Sequence, residues 1–216
     1  YSEVDSHFLK SIATDSERIP GLYYSQYRPV KAFFWMRLKL IYEQIERTSK
    51  GADKCLDFGG GAGVFLPSLC TLFKQVDLYD LETDQAEQLI AHHGLKNVNV
   101  VQGSLGEFRL SPGHYDAAVA ADVLEHFQDL RHPVAALKSC LKKGGYLYTS
   151  LPSENSLYVF LRAVFGVVKP FDHYHSAKEV EKYLSANGFE LVKASFVPLR
   201  LPILPLFHVC TWKVRE

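Results

Sequence analysis

The chain has no surplus of charge of either sign: lysine plus arginine and aspartate plus glutamate each number 24 in 216 residues. That excludes a broad basic field for nucleic acid, and equally the acidic excess that accompanies disorder. No run of about 18 apolar residues occurs, so no bilayer-spanning helix is expected, and no signal peptide opens the chain. Because it starts at Tyr1, the expectation is that the original N-terminus, with any targeting information, is missing. The four cysteines, at positions 55, 70, 140 and 210, share no C-x-x-C spacing, and Cys55 and Cys140 fall within apolar segments. They read as reduced, buried thiols of a cytosolic protein. What the chain does have is 47% apolar residues, ample for one buried core, and a single domain over 1–216 is expected.

The stretch 54–66, Lys-Cys-Leu-Asp-Phe-Gly-Gly-Gly-Ala-Gly-Val-Phe-Leu, organises the rest. A short apolar strand delivers Asp57, and a loop with Gly59, Gly61 and Gly63 turns into a helix expected from Val64 to Phe73. Glycine reaches positive φ without penalty and lets a ligand lie against the backbone near a helix N-terminus. A dinucleotide fingerprint needs its third glycine at position 64, where this chain has valine, and the Lys-Ser or Lys-Thr pair of a P-loop is absent. The spacing is G-x-G-x-G behind an acid. A carboxylate two residues before the first glycine would repel a pyrophosphate, yet it suits a ligand carrying an ammonium and a sulfonium. This resembles motif I of the class I S-adenosylmethionine-dependent methyltransferases.

Before this loop, residues 1–29 are polar and aromatic, with turns at Pro20-Gly21 and Pro29. Apolar positions 30, 33, 34, 38, 41, 42 and 45 then follow helical spacing and predict an amphipathic helix over Val30 to Arg47. After the loop come strands expected at Val76–Asp80 and Asn97–Gln102, separated by a helix from Thr83 to His93 that Thr83 or Asp84 can cap. Asp80, last in its strand and 21 residues beyond Gly59, is the acid placed to take ribose hydroxyls. Residues 115–126, Tyr-Asp-Ala-Ala-Val-Ala-Ala-Asp-Val-Leu-Glu-His, read as an apolar strand whose carboxyl end runs into Asp122, Glu125 and His126. A helix to Leu141 follows, and Gly144 and Gly145 are expected to end it with an αL cap and to start a strand over Tyr146–Leu151. A helix over Ser176–Asn187 and strands over Phe189–Val197 and Phe207–Lys213 close the chain, the last expected to be antiparallel. The alternation predicts an α/β fold: a Rossmann-like, mostly parallel seven-stranded sheet with helices on both faces.

The segment Asp-Val-Leu-Glu-His at 122–126, with Leu-Arg-His-Pro at 130–133 and Lys-Lys-Gly-Gly at 142–145, strongly resembles the ubiquinone and menaquinone type of methyltransferase. The resemblance is close over 52–151 and loose over 172–192. It implies a cofactor site made of Asp57, Phe58, Gly59, Gly61 and Gly63, then Asp80 and Leu81, then Gly103, Ser104 and Leu105, then Ala121 and Asp122. Where relatives carry an acid after the first glycine of the third loop, this chain has Ser104, so a carboxylate contact to the adenine amino group is not implied there. Relatives also close an aromatic and arginine-bearing N-terminal segment over the cofactor. This would make residues 1–50 a lid and helix, with Tyr24, Tyr27 and Arg28 in the lid and Arg28 on the methionine carboxylate. Methyl transfer from a sulfonium is an in-line displacement, so the enzyme aligns the acceptor and removes its proton. Histidine suits that task near neutrality. His126, His173 and His175 are the candidates, His126 the best placed as base, with Glu125 orienting it or the acceptor.

Residues 152–175 interrupt the chain after the fifth strand, and 157–168 are apolar almost throughout except for Arg162. The resembling ubiquinone-type O-methyltransferases carry an apolar insertion at this point for lipid-like substrates, so the resemblance implies a small, partly apolar acceptor, lipid-like or aromatic, with O-methylation favoured and carbon and nitrogen open. A core helix, and a weak peripheral membrane contact through 155–168, stay open as alternatives; the basic face that would strengthen membrane binding is missing. His173 and His175, at i and i+2, complete no local metal-ligand set, so no metal is expected from spacing. A cofactor-binding module without turnover, and more remotely a nicotinamide dehydrogenase, are the competing classes.

Overall fold

The computed structural model describes residues 1–13, 19–104, 110–153, 155, 173–202 and 205–215. Among them, seven strands form one sheet: β1 (Lys54–Phe58), β2 (Gln75–Asp80), β3 (Val98–Gln102), β4 (Tyr115–Ala121), β5 (Leu141–Pro152), β6 (Phe189–Val197) and β7 (Phe207–Val214). Their order is β3-β2-β1-β4-β5-β7-β6. Strands β1 to β5 pair in parallel, and β7 runs antiparallel between β5 and β6, as expected from the sequence. The central strands are apolar on both faces because helices cover both, and Leu56, Ala117, Ala118, Val119 and Ala120 are fully buried. Edge strand β6 instead leaves residues 190–194 exposed.

The helices are α1 (Ser6–Ile12), α2 (Arg28–Thr48), α3 (Leu66–Leu72), α4 (Asp84–His93), α5 (Arg131–Cys140) and α6 (Ala177–Ala186). The first four share one apolar core with Val76, Leu78 and Val209, while α5 and α6 share the other with Leu56, Leu147 and Trp212. Helix α2 starts two residues before its predicted bound, since Pro29 is tolerated in a first turn whose N–H groups have no helical partner. It buries Leu38, Ile41 and Ile45 completely or nearly so, each contributing about 1.5–3 kcal/mol. Its buried polar groups are matched: Gln44 donates to Ser195 Oγ at 3.2 Å, and Ser49 and Tyr148 share a hydrogen bond of 2.7 Å. Helix α6 carries a complete capping box between Ser176 and Glu179.

Three local expectations are corrected. Helix α3 begins at Leu66, not Val64, because the loop first spends two turns, Gly63 N–H to Gly60 O and Leu66 N–H to Gly63 O, each 2.9 Å. Gly144 and Gly145 do not cap α5, which ends at Cys140 with Leu141 already extended. They sit within β5 at a bulge, where Leu141 faces Tyr115 and Tyr146 faces Ala117. Gly144 takes φ 72° there, and a Cβ on Gly145 would lie 2.9 Å from Lys142 O. Thr83 holds the N-cap position of α4 but its hydroxyl donates to Glu87 Oε1 at 3.3 Å instead of capping the backbone.

Candidate active site

The strand order reverses between β1 and β4, and such a reversal opens a crevice at the carboxyl ends of the strands. The register brings Asp57, Asp80, Gln102 and Ala121 to that same edge of the sheet. Gly59, Gly61 and Gly63 have φ of 68°, 54° and 71°, a conformation costly for any other residue type. Gly59 donates to Tyr79 O at 2.8 Å and Gly61 to Asp80 Oδ2 at 2.7 Å, so the loop is tied to the end of β2. The space above Gly59 is taken by Val123, whose Cγ2 a Cβ would overlap, so protein packing as well as ligand approach demands glycine there.

Asp57 is 3% exposed, and its Oδ2 has no hydrogen-bond partner. Burial, reinforced by the nearby Asp80 carboxylate, pushes Asp57 up from 3.8 to about 7. An orphaned buried carboxylate beside a second buried acid is a pair of groups awaiting a cation and hydroxyl donors, which is the chemistry of S-adenosylmethionine: an ammonium, a sulfonium and a ribose. The residues fit that cofactor. The sign follows from the shift. Between 3.8 and about 7 the folded protein holds a proton that the unfolded chain has released, so stability falls as pH rises through that window and then levels off. A bound cation favours the ionised form, so cofactor affinity should rise with pH up to about 7. Calorimetry in buffers of different ionisation enthalpy should show proton uptake by buffer on binding below that pH. Asp57→Asn should flatten both trends, and an unaltered pH profile in that variant would count against the assignment.

Asp80 is 3% exposed, holds the Gly61 N–H and lies 3.4 Å from the Glu82 N–H, so its carboxylate both ties the loop and borders the crevice. Asp80→Ala is expected to weaken cofactor binding by about 1.5–3 kcal/mol, the loss of hydrogen bonds to a charged group. Unchanged calorimetric affinity would sink the assignment.

The remaining residues divide. Gly103 donates to Asp80 O at 2.9 Å, and Ser104 is exposed with its carbonyl accepting from Tyr79 at 3.2 Å. Leu81 is 45% exposed, an apolar surface at the crevice rim. The Phe58 side chain is fully buried, stacked on Phe127 at 6.2 Å, so only its backbone can face a ligand. Leu105 and residues 156–172 lie outside the described residues. In the N-terminal segment Tyr27 and Arg28 are exposed and Tyr23 is the buried tyrosine.

The arginine that reaches the site is Arg37, from the middle of α2. It is 2% exposed, forms an ion pair with Asp122 and donates to the Tyr23 hydroxyl at 2.7 Å. Its guanidinium carbon lies 4.0 Å from the Phe34 ring centre and 5.4 Å from that of Phe207. Burial pushes the Tyr23 hydroxyl up to about 12, so it stays neutral beside this pair. Asp122, at φ 53°, is further held by Ser150 through its N–H at 2.8 Å and its Oδ1 at 3.1 Å. The signal for Arg37 was its place between Phe34 and Leu38 and Ile41 on the apolar stripe of α2.

Glu125 and His126 follow on a 3₁₀ turn, Leu124–His126. Glu125 is 1% exposed, and its carbonyl accepts from Tyr174 N–H at 2.8 Å. This bond brings residue 173 alongside, and the His126 and His173 rings meet edge to face, centres 4.7 Å apart at 83°. The three side chains named from sequence thus converge. His175 stands outside this group, its Nε2 buried without a hydrogen-bond partner.

Sheet order, glycine loop and acidic strand ends are those of the Rossmann-like class I methyltransferase fold. The chain belongs to the methyltransferase-domain family, whose model matches residues 33–194. It is similar to a ubiquinone biosynthesis O-methyltransferase of Paraburkholderia phymatum, 28% identical over 145 residues, which are 66% of this chain and 61% of that protein. A protein of the same description from Burkholderia thailandensis is 25% identical over 182 residues, covering 78% and 77%. Among solved structures, the N-methyltransferase NodS of Bradyrhizobium japonicum in complex with S-adenosyl-L-homocysteine has a TM-score of 0.70 at 16% identity, over 97% of each chain. That likeness concerns the fold. Among the described residues no helix is long and apolar enough to cross a membrane.

Proposed function

We propose that this chain transfers a methyl group from S-adenosylmethionine to an oxygen of a small, partly apolar acceptor. The convergence of Glu125, His126 and His173 just beyond β4 carries this reading, because it puts proton-accepting groups at the carboxyl edge of the sheet where Asp57 and Asp80 hold the cofactor. When bound, S-adenosylmethionine supplies an electrophilic methyl group. The protein's part is then to fix positions. Asp80 and Asp57 hold the polar groups of the cofactor, the glycine loop sets its depth, and Asp122 is pinned by Arg37 and Ser150 at the turn into the acceptor end. An acceptor hydroxyl seated beside the Glu125–His126–His173 cluster would give up its proton to it, while the cofactor, when bound, would supply the methyl group and keep the electron pair of the broken methyl–sulfur bond on its sulfur. Oxygen as the acceptor atom is supported by the relatives named as ubiquinone biosynthesis O-methyltransferases. A partly apolar acceptor is supported by the sequence of 157–168, which follows the strand end bordering the crevice.

The test is transfer of an isotopically labelled methyl group across phenols, enols, amines and carboxylic acids, with S-adenosyl-L-homocysteine release measured in parallel. Label appearing as an ether on an apolar hydroxyl compound is the expected result. Tight cofactor binding without product from any acceptor or cell extract would instead mark a binding module.

A further inference from the structure

A cavity of about 210 Å³ opens beside strands β1 to β3, on the sheet face away from α3 and α4. We propose that it is a second small-molecule site, separate from the methyl-transfer crevice, and that it takes a small aromatic amine whose ammonium group sits on Asp77.

The topology leaves this face open. The crossovers from β1 to β2 and from β2 to β3 carry α3 and α4, which cover the other face, whereas the described parts of the β3–β4 connection, 103–104 and 110–114, hold no helix. The register sets Leu56 beside Asp77 and Val101 beside Tyr79, so these four share one face of the sheet. Successive side chains of a strand point to opposite faces, so Leu56 and Tyr79 turn away from Asp57 and Asp80, the acids of the crevice. Leu56 and Tyr79 are buried and form the floor, while Val101, 38% exposed, and Ser111 stand at the rim.

The wall of the cavity sets the charge of its ligand. Asp77 is 6% exposed, accepts from the Tyr115 hydroxyl at 2.8 Å and from Gln75 Nε2 at 2.9 Å, and has no ion-pair partner among the described residues. Two neutral donors leave the charge of a buried carboxylate uncompensated, which is costly, and a ligand ammonium offsets it. Lys54 does not supply that charge, because its ammonium donates to His114 Nε2 at 3.1 Å. The remaining lining selects the body of the ligand. The rings of Tyr79 and Tyr115, with Leu56, Val101 and Leu110, offer apolar contact, and a cation beside an aromatic face gains further attraction. A cavity of about 150 Å³ admits a benzene ring, so one of about 210 Å³ suits a single ring with a short aminoalkyl arm. His114 and Ser111 are placed to meet a ring hydroxyl. An anion of the same shape would be repelled by Asp77.

The test uses the whole chain and three probes of similar size: tyramine, the anionic 4-hydroxyphenylacetate and the neutral 4-ethylphenol. Calorimetry measures each dissociation constant, alone and with saturating S-adenosyl-L-homocysteine. Tyramine is expected to bind about 10- to 100-fold more tightly than either control, the range for a hydrogen bond to a charged group, and to be unaffected by S-adenosyl-L-homocysteine. Asp77→Asn keeps an acceptor oxygen for Tyr115 but removes the charge, so it should lower tyramine affinity by the same factor with thermal melt and cofactor affinity unchanged. Val101→Trp, a change at an exposed rim, should block the mouth and abolish tyramine binding, and it decides the matter if Asp77→Asn fails to fold. Failure of tyramine to bind, equal binding of either control, or full affinity in a folded variant overturns the proposal. Displacement by S-adenosyl-L-homocysteine also overturns it, since the amine would then lie in the crevice of Asp57 and Asp80.

Discussion

Changing His126 to alanine is expected to lower turnover by about 10²–10⁴ while leaving affinity for S-adenosylmethionine nearly intact, the usual range for losing a positioned proton-transfer group. The separation of the two readouts follows from placement. Cofactor contacts are assigned to β1, β2 and the loop bearing Gly59 and Gly61, whereas His126 lies beyond β4 in contact with His173. Its backbone N–H is bonded to Val123 O at 3.2 Å, so the turn keeps its shape when the imidazole is removed. Single-turnover rates with an ether-forming acceptor, alongside calorimetric affinity for the cofactor, measure the two quantities independently. Wild-type turnover would end the assignment. An equal loss of rate and affinity would mean that the imidazole supports the packing of the crevice, since a purely structural defect has no reason to spare cofactor binding.

How much of this was legible in the sequence follows from how local each signal is. The glycine loop is readable because positive φ at Gly59, Gly61 and Gly63 is a property of single residues, and Asp57 and Asp80 are readable because strand ends are. The order of strands and helices followed from periodicity, and the separate expectation of an antiparallel last strand is met by β7. What stayed hidden depends on partners remote in sequence. The resemblance implies a cofactor contact at Phe58, but the packing of its ring on Phe127 and Tyr79 was not to be read from the motif. Gly144 and Gly145 looked like a helix cap, and only pairing with β4 shows that they relieve a bulge. The meeting of His126 with His173 depends on a backbone bond from Tyr174 to Glu125 that no spacing rule encodes. Arg37 is the sharpest instance. A charged residue in an amphipathic helix is ordinarily read as part of the wet face, and its burial makes sense only once Asp122 and Tyr23 are beside it.

That burial makes Arg37→Met the substitution with the largest expected effect on stability. A buried ion pair contributes little net when formed, because desolvation offsets attraction, but removing one partner strands the other. Here the loss would leave the Asp122 carboxylate without its cation and the Tyr23 hydroxyl without its donor, in a pocket walled by Phe34 and Phe207. The general cost of breaking such a pair is about 3–5 kcal/mol. The lower end applies, since the Asp122 side chain is 23% exposed and keeps its bond from Ser150 Oγ at 3.1 Å. For a domain of this size about 3 kcal/mol corresponds to a fall in Tm of roughly 6–12 °C. Arg37→Lys should recover only part of this, because a lysine offers one compact charge and cannot direct separate N–H groups at Asp122 and Tyr23. The pairwise origin of the effect is measured by a cycle of Arg37→Met, Asp122→Asn and the double variant under chemical denaturation. Neutralising Asp122 removes the stranded charge, so the double variant should be less unstable than the sum of the singles by about 1–3 kcal/mol. Strict additivity would show that Arg37 acts through Tyr23 and its aromatic contacts and not through Asp122, and would detach it from the turn after β4.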